Sequence, residues 1–219
     1  MSKVFVVGGA GKVARLLIER LSQRGHQPLA LYRNPDQTLE LESLGATPVL
    51  GSLLELDVDA LSGLMVGSDA VVFSAGAGGK GGAQMTNAVD GRGLELAVAA
   101  AQRAGVTRFL LVSAFPEASR GKEVSETFEN YMRVKKLADV HLAQSDLDWV
   151  IVRPGTLLDA SGSGKVHLGL AIPYGEVSRD DVAATLVEII EHPSVSRVIL
   201  ELTQGQTPVA DAVERFVRS

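Results

Sequence analysis

The sequence predicts an α/β fold: a doubly wound parallel sheet of about seven strands with helices on both faces. Short apolar runs alternate with segments of helical period along all 219 residues. The runs are apolar throughout, which is typical of strands buried on both faces. A glycine turn joins the first run to the first helical segment, and alternating strands and helices favour right-handed parallel connections. We expect one domain over residues 1–219, because neither a linker nor a repeat interrupts the pattern.

The predicted elements follow one another in chain order. The strands are residues 3–7, 28–32, 47–50, 69–73, 107–112, 148–152 and 197–202. A first helix carries apolar residues from 13 to 21, and the other helices are residues 40–44, 56–64, 85–104, 123–143 and 179–191. Ser178, followed by Asp180 and Asp181, is typical of a capped helix start, for which we expect a structural role.

Composition excludes several classes of function. A net charge of −5 and a pI of about 5.4 do not favour nucleic-acid or membrane binding. The absence of cysteine excludes disulfides, thiolate metal sites and cysteine catalysis, and the four histidines have no metal-ligand spacing. No apolar run approaches the roughly 20 residues of a membrane helix, and the chain enters its first strand without a signal peptide. We therefore expect a cytoplasmic protein without a metal.

The glycine turn indicates a dinucleotide-binding unit. Gly8 allows a sharp turn at the strand end, Gly11 leaves space for a pyrophosphate, and Ala14 permits close packing of strand and helix. The amides of Lys12 and Val13 at the helix start are expected to hold the anion, helped by the helix dipole.

The end of the second strand bears on the choice of cofactor. Arg33 stands where an acidic residue would bind the ribose hydroxyls of NAD, and a guanidinium suits the 2′-phosphate of NADP. NADP(H) is therefore the preferred cofactor, with NAD(H) as the alternative, and a merely exposed arginine is the competing interpretation. Arg15 could reach the same phosphate. At the end of the third strand, Ser52 is a candidate to bind the adenine or to cap the turn, and Leu53 to pack on the adenine ring.

Three residues form a candidate catalytic group. Ser113 ends a buried strand, and Tyr131 and Lys135 lie four residues apart on one face of a predicted helix. A lysine ammonium favours the phenolate and is expected to lower the pKa of Tyr131 toward a useful range. Ser113 would then bind the substrate oxygen, Tyr131 would exchange the proton, and Lys135 would bind the nicotinamide ribose. An exposed helix face is the competing interpretation of the Tyr131 and Lys135 pair.

The chain resembles the atypical short-chain dehydrogenases/reductases, in the compact NAD(P)H-binding group related to NmrA-like and flavin/biliverdin-reductase-like proteins. The resemblance covers nearly the whole length. The residues that carry it are Gly8-x-x-Gly11-x-x-Ala14, Arg33-Asn34-Pro35, Ser74-Ala75-Gly76, Ser113, Tyr131-x-x-x-Lys135, Arg153-Pro154-Gly155 and 178–183. It implies a Rossmann-type fold in which Ser74, Ala75 and Gly76 flank the diphosphate and the adenosine ribose.

The substrate side is predicted around residues 153–178. Pro154 is a candidate to pack near the nicotinamide, although Pro-Gly is also ordinary turn chemistry. Residues 157–176 are rich in glycine and serine and are expected to cross the cleft as a short lid. Phe115, Phe128 and Leu158 are candidates for the pocket or for the core.

The leading hypothesis is an NADPH-dependent oxidoreductase for a small carbonyl, quinone or flavin-like acceptor, acting as a monomer rather than a homodimer. The alternatives are a non-catalytic NADP(H)-binding redox sensor that docks to a partner, and an NAD-retaining epimerase or dehydratase. Arg33 and the short C-terminal segment argue against the epimerase.

Overall fold

The computed structural model describes residues 1–118, 121 and 123–217. Its strands are β1 (Lys3–Val7), β2 (Gln27–Tyr32), β3 (Thr47–Leu50), β4 (Ala70–Phe73), β5 (Arg108–Val112), β6 (Asp148–Pro154), β7 (Thr156–Leu158), β8 (Lys165–Gly169), β9 (Glu176–Ser178), β10 (Val198–Gln204) and β11 (Thr207–Pro208). Its α-helices are α1 (Lys12–Gln23), α2 (Thr38–Ser43), α3 (Val58–Met65), α4 (Gly82–Thr86), α5 (Gly93–Ala104), α6 (Glu126–Ala143), α7 (Arg179–Glu191) and α8 (Val209–Glu214).

Nine strands form one twisted sheet in the order β11-β8-β10-β6-β5-β4-β1-β2-β3. The seven predicted strands are all present and are joined in parallel. The chain order reverses beside β1, where β2 and β4 flank it, and ligands bind at such a switch point in open α/β sheets. The predicted α/β architecture is therefore confirmed, with a Rossmann-like sheet in a single domain.

The two faces of the sheet carry separate apolar cores. Along β1, Val4 and Val6 pack into one core and Phe5 and Val7 into the other, as the alternation of side chains in a strand requires. Helices α1, α7 and α8 cover the first face, and α3, α5 and α6 cover the second. Fully apolar strands thus reflect helices on both faces.

The prediction that residues 157–176 cross the cleft as a lid is wrong in part, and the predominantly parallel sheet also gains two antiparallel strands. β8, in the middle of that segment, pairs antiparallel with β10 inside the main sheet, and β11 pairs antiparallel with β8. β7 and β9 form a separate two-stranded sheet. The sequence predicts seven strands and misses these four, because they are short and carry polar residues, which weakens their apolar signal.

The long helix predicted over residues 85–104 is interrupted. A π-helical segment, Asn87–Arg92, joins α4 to α5. Such wide turns are rare and occur frequently at functional sites, where they shift one side chain out of the helical register. Asp90 lies within this segment and is buried.

Candidate functional site

A cleft of 340 Å³ opens at the carboxyl end of the first four strands. The loops that follow β1, β2, β3 and β4 all contribute to it, as expected at a switch point. Eight of the predicted cofactor residues line it: Gly8, Gly11, Arg33, Ser52, Leu53, Ser74, Ala75 and Gly76. These residues come from four separate stretches of the chain, and the fold brings them together around one cleft.

The glycine turn has the geometry of a phosphate-binding loop. Gly8 has a φ of +81°, and a Cβ added there would lie 2.6 Å from the Cα of Ala75, so only glycine fits without a shift. Gly11 precedes α1 as its N-cap and offers no side chain to the first amides of the helix. By contrast, Asp57, Ser125 and Ser178 cap α3, α6 and α7 with side-chain oxygens. The start of α1 can thus accept the pyrophosphate of a dinucleotide.

The charged side chains among the described lining residues of the cleft are all positive. Arg33 and Lys80 are its charged lining residues, and none of the described lining residues is an aspartate or glutamate. Arg33 is exposed at the end of β2, and Lys80 lies in the glycine-rich loop before α4. The lining therefore suits a ligand with several phosphates.

Three of the residues named from the sequence already have hydrogen-bond or ion-pair partners within the protein. Arg15 forms an ion pair of 2.8 Å with Glu40 and does not line the cleft. Lys12 pairs with Asp159 across the mouth of the glycine turn. Ser52 lines the cleft and also accepts a hydrogen bond of 3.2 Å from the amide of Leu54, so it caps its turn as well.

Ser113 lies at the end of β5 in a buried polar network. Its hydroxyl donates to the Oδ1 of Asp139 over 2.5 Å, and the guanidinium of Arg153 donates to the other oxygen over 2.9 Å. Burial raises the pKa of Asp139, whereas the bond from Ser113 and the charge of Arg153 oppose this. Because the Ser113 hydroxyl uses its hydrogen in the bond to Asp139, its oxygen lone pairs can accept a hydrogen bond from a ligand.

Lys135 lies close to Ser113 and is buried, with 4% of its surface exposed. Its ammonium donates to the carbonyl of Val112 over 2.9 Å and lies 3.9 Å from the Oδ1 of Asp90. Burial lowers the pKa of Lys135, whereas the charges of Asp90 and Asp139 raise it. The two carboxylates thus favour the charged form of Lys135, whereas burial disfavours it.

Tyr131 is partly buried on α6, one helical turn before Lys135, and its ring lies 6.2 Å from that of Phe128. The expectation that its pKa would be lowered is wrong. Burial first, and then the negative charges of Asp90 and Asp139, raise the pKa of Tyr131 to about 12. At neutral pH the residue is a phenol, which suits a proton donor.

The substrate side is more tightly built than predicted. Pro154 ends β6 and is buried, and a Cβ at Gly155 would lie 2.0 Å from the carbonyl oxygen of Gly175, so two backbone segments touch there. Tyr174 packs edge-on against buried Phe115 at 5.3 Å, and its hydroxyl meets that of Thr156 at 2.5 Å.

Residues 162–164 are tied down by α7. The carboxylates of Asp180 and Asp181 accept the amides of Gly162, Ser163 and Gly164 over 2.8 to 3.0 Å. Ser178 caps the helix, and the structural role expected of this motif is confirmed.

Sequence reasoning missed Lys80, Asp90 and Asp139. Lys80 stands in the glycine-rich stretch of residues 76–82, which directly follows β4, and this position after a strand is the signal that could have identified it. Asp90 and Asp139 are ordinary helix residues in the sequence, and only their burial at 3% and 4% reveals them.

Comparison with known proteins agrees with this geometry. The NAD(P)H-binding family matches residues 8–193. The chain belongs to that family. A relative from Bacillus subtilis, called an uncharacterized sugar epimerase, YhfK, is 34% identical over 98% of this chain and 100% of the relative. A UPF0659 protein of Saccharomyces cerevisiae is 34% identical over 99% of this chain and 98% of the relative.

Solved structures extend the likeness to the fold. A Bacillus halodurans protein, provisionally called an NAD-dependent epimerase/dehydratase, has a TM-score of 0.89 and 34% identity over 98% of this chain and 100% of that one. The anaerobillin reductase ChuY of Escherichia coli has a TM-score of 0.77 at 22% identity, over 93% of this chain and 97% of that chain, and shares the fold. The resemblance to the compact NAD(P)H-binding group of atypical short-chain dehydrogenases/reductases is thus confirmed, and the matched domain supports a nicotinamide cofactor.

Two features are absent from the described part of the chain. Its residues contain no group of three side chains arranged to hold a metal ion. Within the same residues, no helix has the length and apolarity to cross a membrane.

Proposed function

We propose that the protein is an NADPH-dependent oxidoreductase that reduces a small carbonyl, quinone or flavin-like acceptor. The observation that carries the proposal is the lining of the cleft, which joins two cations to an uncapped helix start and a glycine turn, with no carboxylate among the described lining residues. A 2′-phosphate adds negative charge to the ligand, and such a lining favours it.

The residues present fit the cofactor. Gly8, Gly11 and the amides of Lys12 and Val13 would hold the pyrophosphate, and Arg33 the 2′-phosphate. The loop of residues 74–76 would flank the adenosine ribose. When bound, the nicotinamide supplies a hydride, so the protein has to orient the acceptor and provide a proton.

The proton donor proposed here is Tyr131. Its raised pKa keeps the proton on the phenol until negative charge develops on the acceptor oxygen. Ser113 follows β5, and the ammonium of Lys135 reaches the carbonyl of Val112 at the end of that strand. There Lys135 would bind the nicotinamide ribose and Ser113 would contact the acceptor. Pro154 would pack near the nicotinamide.

Calorimetric titration with NADPH and with NADH tests the cofactor. We expect at least tenfold tighter binding of NADPH, about 1.4 kcal/mol, and loss of that preference in Arg33→Ala. Arg15→Ala is the matched control, because Arg15 is a nearby cation held by Glu40 outside the cleft, and it should keep the preference. Equal binding of both cofactors by the unaltered protein would contradict the NADPH assignment.

Substitution of Tyr131 by phenylalanine tests the chemistry. Screening of quinones, flavins and aldehydes with NADPH should identify an acceptor, and Tyr131→Phe should lower turnover about 100-fold while leaving NADPH affinity unchanged. A protein that binds NADPH tightly yet reduces none of these acceptors would instead be a redox sensor, for which turnover is not expected.

The Bacillus subtilis relative is called a sugar epimerase, so an NAD-retaining epimerase is the second candidate function. An epimerase would retain tightly held NAD through purification and would cause no net oxidation. Release of the nucleotide by denaturation, followed by its identification, distinguishes the two. Arg33 favours NADPH, because a retained NAD has no 2′-phosphate for it to bind.

A further inference from the structure

Asp90 is a buried carboxylate between two parts of the candidate site. It lies in the π-helical segment Asn87–Arg92 with 3% of its surface exposed. A carboxylate in such a place is unfavourable unless hydrogen bonds and an opposite charge compensate for the loss of water. Its partners therefore indicate what the position is for.

The first partner is the loop that follows β4. The Oδ2 of Asp90 accepts the amide of Ala77 over 2.9 Å. A Cβ added at Gly76 would lie 3.0 Å from the Oδ1 of Asp90, so a side chain at this position would press against the carboxylate. Residues 74–77 all line the cleft, and the carboxylate of Asp90 anchors this loop through the amide of Ala77.

The second partner is Lys135 on α6. Its ammonium lies 3.9 Å from the Oδ1 of Asp90 while it donates to the carbonyl of Val112. One carboxylate thus meets the cleft loop with one oxygen and the lysine with the other. The widened turn of the π-helical segment brings Asp90 into this position.

We propose that Asp90 is a positioning residue, whose carboxylate fixes the loop of residues 74–77 and Lys135 relative to each other. A shift of the loop would move the ammonium, and a shift of the ammonium would move the loop. The proposal rests on the proposed function only in that the loop and Lys135 contact the cofactor.

The charge of Asp90 also reaches Tyr131. The charged groups facing Tyr131 are Asp90 from the π-helical segment and Asp139 from its own helix, and Arg153 from β6 pairs with Asp139. Lys135, between the two carboxylates, stabilises both as ions. Because both carboxylates raise the pKa of Tyr131, removal of one should lower it.

Two substitutions separate the hydrogen bond from the charge. Asp90→Asn keeps an oxygen for the amide of Ala77 but removes the charge, whereas Asp90→Ala removes both. We expect Asp90→Asn to bind the preferred nucleotide within threefold of the unaltered protein and Asp90→Ala at least tenfold more weakly. In both variants, Tyr131 should ionise at lower pH.

Ionisation is followed at 295 nm after a rapid jump to high pH, before unfolding, and the same variants carrying Tyr131→Phe supply the background from Tyr32 and Tyr174. This readout needs no cofactor. In Asp90→Asn the side chain keeps its size, so the burial of Tyr131 is retained and a change in its ionisation reports the lost charge. Asp59→Asn is the control, because Asp59 has the same charge in an exposed pair with Arg103.

Hydrogen exchange at the amide of Ala77 provides a second readout without cofactor. Exchange should accelerate in Asp90→Ala and stay slow in Asp90→Asn. If the unaltered protein binds neither nucleotide, the proposed function fails, and exchange and ionisation still decide the role of Asp90. Unchanged exchange in Asp90→Ala, or an unchanged ionisation of Tyr131 in Asp90→Asn, would overturn the proposal. If Asp90→Ala does not fold, Asp90→Asn alone tests the charge.

Discussion

At the scale of single residues, two glycines show how space and backbone conformation combine. Gly8 and Gly25 have nearly equal φ values, +81° and +78°. A Cβ at Gly8 would lie 2.6 Å from Ala75, whereas a Cβ at Gly25 meets nothing within 4 Å. The first position is constrained by conformation and contact, and the second by conformation alone.

We therefore expect Gly8→Ala to cost more stability than Gly25→Ala. The Gly25 variant should lose about 1 kcal/mol, the ordinary cost of a side chain in the left-handed region. The Gly8 variant should lose at least about 2 kcal/mol and also its NADPH binding, because the loop after β4 has to move. Urea denaturation and calorimetry of both variants measure this. Equal losses would show that Ala75 yields without cost.

Tyr131 makes stability depend on alkaline pH. Its pKa in the folded state is about 12, above the usual tyrosine value of 10.0, so the folded protein binds this proton more tightly than the unfolded chain does. The resulting stability is fully present below pH 10 and is lost as the pH rises toward 12, by about 2.7 kcal/mol in all. Urea denaturation at pH 8 and pH 11 should show a smaller alkaline loss in Tyr131→Phe. An identical loss in both proteins would mean that Tyr131 titrates normally.

The sequence predicts the part of the site whose signal is local. Gly8 and Arg33 each follow a strand directly, and Gly11 directly precedes the first helix, so their place at the sheet edge can be inferred without a structure. Asp90 and Asp139 could not be predicted, because their importance comes from burial and from partners at least 13 residues away. The prediction of a lowered pKa for Tyr131 is wrong because the sequence shows neither the burial of its ring, which is the largest cause, nor the nearby charges of Asp90 and Asp139.

At the scale of elements, predictability follows the strength of the apolar pattern. The strands β1, β4 and β5 are almost wholly buried and were recognised as apolar runs. β8 alternates between exposed and buried positions, and its flanks are rich in glycine and serine, so the sequence there resembles a loop. β8 is a strand because β10 offers it a partner, which is tertiary information.

Hydrogen bonds join α7 to residues 162–164, and their contribution to the free energy of unfolding can be measured. Asp181 is 2% exposed, and its carboxylate accepts the amides of Ser163 and Gly164 and the hydroxyl of Ser178. Asp181→Ala should lose about 2–4 kcal/mol, because these donors are left without a partner.

Hydrogen exchange at the amides of residues 163 and 164, together with urea denaturation, measures this effect. Asp211→Ala is the matched control, because Asp211 is exposed in the first turn of α8. That variant should stay within about 0.5 kcal/mol of the unaltered protein. If Asp181→Ala behaves like the control, the carboxylate does not hold the loop.

At the scale of the whole molecule, the cleft links four strands to α1 and to the segment around α4. Its lining comes from the loops after β1, β2, β3 and β4, and the sheet holds these loops at one edge. A ligand that contacts all of them binds the folded chain and not the unfolded one. Binding should therefore appear as global stability.

NADPH at 100 times its Kd should add about 2.7 kcal/mol. For a chain of this size that raises the Tm by about 5–10 °C. At the same NADPH concentration, Arg33→Ala should show an increase smaller by about 3–5 °C, because a tenfold weaker affinity removes about 1.4 kcal/mol. Arg33 is exposed, so the Tm without cofactor should not change, and NADH should raise the Tm of both proteins equally. Equal NADPH shifts in the two proteins would place the 2′-phosphate away from Arg33 and leave Lys80 as the remaining charged residue of the described cleft lining to test.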